Sequence, residues 1–219
     1  MKRLLSLIRK LIPDYAWVYL GSFLAVNFVA FSLTQVLMDD VTRYNLTLPI
    51  DDRIPLIPWF VIIYLLAFAQ WAISWILISR ESKEAVRYFA IADIISKLIC
   101  LAVFVFYPTT MDRPSVEVTD LFTWILKNVI YGVDKPYNLL PSIHIIESHL
   151  ALRAAFSLKK PPKYYRWIHI PLNVMIALSI LFIKQHVFVD IPGGIIACEI
   201  GLFGAWLITK KRKLTSHER

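Results

Sequence analysis

Apolar runs of about twenty residues alternate with short polar stretches along the chain, and that length matches the hydrocarbon width of a bilayer crossed by a helix. Six such runs stand out, at about 15–38, 59–79, 88–107, 142–158, 167–183 and 187–208. Their limits are chemical: the proline-punctuated segment 49–58, the charged stretch 80–87, and Lys159-Lys160-Pro161-Pro162, which no helix continues through. A seventh apolar run, 122–131, is too short to cross and lies in the longest loop, 108–141, where it predicts an interfacial or re-entrant helix.

The pattern predicts an all-α membrane protein, a six-transmembrane-helix bundle with an interfacial helix in one long extracytoplasmic loop. Segment 1–14 places Lys2, Arg3, Arg9 and Lys10 among leucines and isoleucines, as expected of an amphipathic helix lying on the membrane surface. Residues 15–208 form the membrane domain, and 209–219 a basic tail.

Composition strengthens this reading. The chain is 58% hydrophobic and 18% charged, against roughly 45–50% apolar residues in soluble domains, and six spans leave no room for a separate soluble domain within its 219 residues. The net charge of +8 gathers in clusters between apolar runs, the arrangement of loops facing an anionic leaflet and not of a nucleic-acid surface. Of the 24 Lys and Arg, 16 fall on one side of the predicted spans and 6 on the other. The positive-inside rule therefore puts both termini in the cytoplasm of a multi-pass cell-membrane protein. Cys100 and Cys198 sit singly in apolar runs and read as buried small hydrophobes.

Topology then collects the unusual polar residues at one face, the extracytoplasmic one. His186 and Asp190 are spaced i,i+4 at the entrance to the sixth span, which puts them on one helix face, where a carboxylate can hold one imidazole nitrogen and leave the other as nucleophile or base. His144 follows Pro141-Ser142 at a helix start, where a Ser142 cap and free N–H groups favour an anion. Arg113 precedes Pro114 on a constrained loop, and its fork suits phosphate oxygens. Taken together, two histidines, a carboxylate, an arginine and a helix N-terminus are the inventory of phosphoryl transfer.

Arg113-Pro114, Pro141-Ser142-Ile143-His144 and His186-x-x-x-Asp190, in that order over six spans, resemble the three motifs of the type 2 phosphatidic acid phosphatase superfamily. The resemblance implies that His186 attacks phosphorus to give a phosphohistidine, that Asp190 supports it, that His144 protonates the leaving alcohol, and that Arg113 and Ser142 hold phosphate oxygens. It implies no cofactor and no metal. Two expected cations are missing: Phe106 stands where the family's pattern has a lysine, and Ser179-Ile180 where it has Ser-Arg. Lys184 and Lys135 are the candidates to replace them. These departures look more like the branch containing inositol phosphorylceramide and sphingomyelin synthases.

The expectation is thus a lipid phosphatase acting on a monoester or pyrophosphate, with a membrane lipid and the bilayer as its only implied partners and no nucleic acid. Transfer of a phospho-headgroup between lipids is the alternative. A non-enzymatic lipid transporter is the third reading, but no inverted repeat with broken helices supports it. Within spans, Asp93 and Lys97 at i,i+4 predict an ion pair, and Glu147, a turn below His144, is either a partner of His144 or a structural group.

Overall fold

The computed structural model describes residues 11–30 and 41–217 and is mostly helical. After a short turn at Asp14–Ala16, helix α1 covers Trp17–Phe28, α2 is the brief Pro49–Arg53, α3 is Val61–Glu81 and α4 is Lys83–Phe106. The apolar helix α5, Leu121–Val133, contains one π turn; α6 is Ile143–Ser157, α7 Lys163–Phe182 and α8 Asp190–His217. Four helices are long and apolar enough to cross a membrane: Pro58–Glu81, Lys83–Phe106, Lys163–Phe182 and Asp190–Lys210. Helix α6, with 15 residues, is about 22 Å long at 1.5 Å per residue. It packs against α3, α4, α7 and α8. Residues 1–10 of the expected amphipathic segment and 31–38 of the expected first span lie outside the described residues. Helix α8 runs on into the basic tail as far as His217.

Local chemistry fixes the breaks. Ser82 alone separates α3 from α4, and its hydroxyl accepts the Ala85 N–H at 3.0 Å as an N-cap. The Glu81 carboxylate then accepts the N–H groups of Lys159 and Lys160 at 3.2 and 3.0 Å, so the end of α3 receives the chain as it leaves α6.

Lipid tails are as apolar as leucine, so contact between these helices depends on close fit more than on hydrophobic exclusion. The most extensive pairing is α4 with α8. A Cβ at Gly201 of α8 would collide with Ser96 Oγ and the Ala92 carbonyl of α4, so the absent side chain is what lets the two backbones meet. Between α4 and α6, Lys97 Nζ donates to Asp93 Oδ1 at 2.9 Å and to Glu147 Oε1 at 2.5 Å, all three side chains being at most 2% exposed. The expected Asp93–Lys97 pair is thus present within a trio that includes Glu147. Cys100 and Cys198 are buried, unbridged thiols.

One feature of the loops has no counterpart in the hydropathy pattern. Tyr44–Asn45 (β1) and Thr109–Thr110 (β2) form a two-residue parallel ladder, and Thr110 bridges to Tyr137. The Tyr44 and Tyr107 rings stack with centroids 4.4 Å apart. Thr109 Oγ1 accepts the N–H groups of Leu139 and Leu140 at 2.8 and 3.1 Å, and its carbonyl accepts that of Asn138. This small ladder holds the segment that leads through Pro141 into α6.

Candidate active site

The turn between α7 and α8 carries His186, and almost every residue in it is tied from outside. The Ile180 carbonyl accepts the N–H groups of Gln185 and His186 at 2.9 and 3.1 Å. Tyr131 Oη of α5 donates to the Ile183 carbonyl at 2.7 Å. Arg113 donates from Nε to the Lys184 carbonyl at 3.1 Å, from Nη1 to the Asp134 carbonyl, and from Nη2 to Gln185 Oε1, while its guanidinium lies 4.6 Å from the Tyr131 ring centroid. From the other side Asp51 Oδ1 accepts the Phe188 N–H at 2.7 Å, and its carbonyl accepts Lys184 Nζ at 2.8 Å. Lys184 itself has a φ of +53°, a left-handed conformation that costs a residue with a Cβ and persists only where surrounding contacts dictate it.

Those restraints aim one imidazole. Asp190 is the first residue of α8 and is fully buried; its Oδ2 accepts His186 Nδ1 at 2.9 Å and the Val187 N–H at 3.1 Å. The i,i+4 spacing is therefore closed through a turn ahead of the helix, and not along one helical face as the spacing alone predicts. A carboxylate at Nδ1 fixes the proton there and leaves the Nε2 lone pair free for chemistry. Nε2 faces Ser142 Oγ at 3.1 Å. Ser142 caps α6, accepting the Ile145 N–H at 3.4 Å, and its own N–H donates to the Asp190 carbonyl at 3.4 Å, so the starts of α6 and α8 are stitched together. Gly194 permits that approach, since a Cβ there would stand 2.7 Å from Ile145 Cβ and 2.9 Å from the Ser142 carbonyl.

His144, the second residue of α6, has its ring centroid 5.6 Å from that of His186 and rests among Tyr64, Trp71 and Phe68 at 4.6, 5.5 and 6.1 Å. Both histidines open onto a cavity of about 830 Å³, within the range of small-molecule sites. Its lining is mostly apolar, with residues such as Phe23, Leu24, Leu65, Phe68 and Trp75, and includes Asp134, Asn138, Glu147 and the two histidines. Burial holds the Asp134 carboxyl above its usual range, against the opposing pull of Arg113 and His186.

Of the seven residues singled out in the sequence, four converge here: His186, Asp190, Ser142 and His144. The other three are placed differently. Arg113 is committed through three donors to the turn and the Asp134 carbonyl, Lys184 points to Asp51, and Lys135 is exposed, its Nζ 5.8 Å from the Tyr137 ring centroid. Among the described residues no lysine or arginine lines the cavity, and no group of three His, Cys, Asp or Glu side chains is arranged to hold a metal. Asp51, Gln185, Tyr131 and Asp134 shape the site without any signal beyond their polarity. Asp51, in the proline-punctuated segment 49–58, is 6% exposed. Comparison with known protein families, curated proteins and solved structures yields no match.

Proposed function

We propose that this protein is a membrane-embedded enzyme of lipid phosphate metabolism that transfers a phosphoryl group through His186, in a six-span bundle with both termini cytoplasmic and the site at the extracytoplasmic face. The observation that carries the reading is the Asp190–His186 pair, with Nδ1 held by a buried carboxylate and Nε2 facing only the Ser142 hydroxyl, on a histidine that lines a largely apolar cavity. The Nε2 lone pair attacks phosphorus while the bond from phosphorus to the lipid alcohol breaks, and the departing oxygen takes a proton from His144. In the second half His144 accepts the proton of the incoming hydroxyl, whose oxygen displaces His186. Asp190 stabilises the imidazolium that exists between the two steps. Water as acceptor makes the protein a lipid phosphatase.

Ser142, His186 and Asp190 also lie in the order of a Ser–His–Asp triad. Exposure argues for His186 as nucleophile: it lines the cavity, whereas Ser142 is 0% exposed, does not line it, and is engaged as the α6 cap.

The cations bear on the choice of acceptor. A phosphomonoester dianion calls for more positive charge than a phosphodiester, and here Arg113 and Lys184 are directed at backbone carbonyls. That favours the second reading, in which a singly charged phosphodiester lipid gives up its phospho-headgroup to another alcohol. Purified protein incubated with phosphatidic acid, a polyprenyl pyrophosphate and a phosphatidylinositol, each with and without an acceptor lipid alcohol, tests both. Phosphate release without acceptor identifies the phosphatase, product only with acceptor identifies the transferase, and full turnover by His186→Ala refutes the mechanism.

A further inference from the structure

Directly below the site, two buried polar atoms on one helix lack partners. Glu147 is 2% exposed; its Oε1 takes the Lys97 ammonium, but Oε2 has no hydrogen-bond partner although the residue borders the cavity. His144 Nδ1 is likewise buried and without a partner. The two residues are spaced i,i+3, so their side chains are neighbours on the same face of α6. A carboxylate oxygen and a ring nitrogen left unsatisfied in apolar surroundings are each costly, and a site with polar groups on two sides is where an internal water is held.

Resting on the reading of His144 as proton donor, we infer that Glu147 is the positioning residue of His144, joined to Nδ1 through one bridging water. The carboxylate fixes the Nδ1–H tautomer, turns Nε2 towards the lipid oxygen, and stabilises the imidazolium that must form when His144 takes a proton from the acceptor. Each histidine of the site then has its own acid: Asp190 for His186 and Glu147 for His144. Lys97 donates to Glu147 Oε1, and Asp93 on α4 is its second acceptor. Tyr64 from α3 and His186 from the turn also face His144, and Asp134 from the loop before α6 lines the same cavity.

The test reads the histidine itself, independent of turnover. Full-length protein with 15N-labelled histidine is placed in lipid nanodiscs, and the His144 signals are assigned by difference from His144→Gln. The wild-type ring is expected to be the Nδ1–H tautomer when neutral, and its titration midpoint is expected to fall by at least about half a pH unit in Glu147→Gln, as loss of a nearby anion requires. Asp93→Asn, which disturbs the same buried trio without touching His144, is expected to leave the midpoint unchanged. An Nε2–H tautomer in the wild type overturns the inference even if Glu147→Gln does not fold, as does an equal shift in the two variants or none in either. If the midpoint moves as expected while no lipid phosphate is turned over, Glu147 positions His144 and the phosphoryl-transfer reading is what fails.

Discussion

Replacing Asp190 with asparagine changes almost no volume and removes one charge. The carboxylate is fully buried and 2.9 Å from His186 Nδ1, so the charge centres of the pair are roughly 4 Å apart, where two unit charges at an effective dielectric near 20 interact by about 4 kcal/mol. Nucleophilic attack requires a neutral imidazole, so that energy is gained in the step where Nε2 bonds to phosphorus and the ring becomes cationic. At 1.4 kcal/mol per decade the predicted loss in the phosphorylation step is about a thousandfold. Asparagine has a second fault, because only one of its two atoms accepts. If its oxygen keeps the Val187 and His186 contacts, its NH2 sits buried at the Oδ1 position, which has no partner in the wild type; if it flips, it opposes two donors. Rapid-quench single-turnover kinetics on the accepted lipid, with thermal unfolding in the same detergent, separates rate from folding. A well-folded Asp190→Asn protein within fivefold of wild type would refute the electrostatic argument.

Other consequences concern the scaffold. Lys97→Met leaves Asp93 and Glu147 buried without their cation and should destabilise the bundle by about 3–5 kcal/mol, measured by reversible unfolding in mixed micelles; a loss under 1 kcal/mol would mean the trio is hydrated. Gly201→Val should cost at least about 1–3 kcal/mol, since the obstructing Ala92 carbonyl is helix backbone and cannot rotate away. Asp134 has its carboxyl raised chiefly by burial. The folded protein therefore holds that proton more tightly than the unfolded chain, and stability falls as pH rises above the ordinary aspartate range of about 4. Asp134→Asn, which keeps the backbone carbonyl that Arg113 uses, should gain in relative melting temperature between pH 4 and 7; a constant difference across that range would contradict the assignment.

The four long apolar helices are legible in the sequence because each depends on a contiguous apolar run, whereas the brief α2 leaves no such run. The breaks at Ser82 and at 159–162 follow from local capping and proline, and α5 from a run too short to cross. His144, Ser142, His186 and Asp190 do come together in space, as the expectation that span ends share one depth implies. What sequence could not supply was direction. Lys184 lies two residues from His186, but the left-handed turn sends its ammonium to the Asp51 carbonyl; Arg113 has the fork of a phosphate ligand and uses it on two backbone carbonyls and a glutamine. The β1–β2 ladder and the Asp51 clasp pair residues far apart in sequence, and two-residue strands leave no periodic trace. Glu147 was placed one turn below His144, but only packing shows that Lys97 occupies one of its oxygens and leaves the other open.

The central claim is that His186 carries the phosphoryl group. Acid-free quenching of a single turnover with a lipid labelled in the transferred phosphate, followed by proteolysis and mass spectrometry, tests it directly. An adduct on His186 that survives alkali and is lost in acid is the predicted result. An acid-stable, alkali-labile adduct on Ser142, or turnover undiminished in His186→Ala, would contradict it.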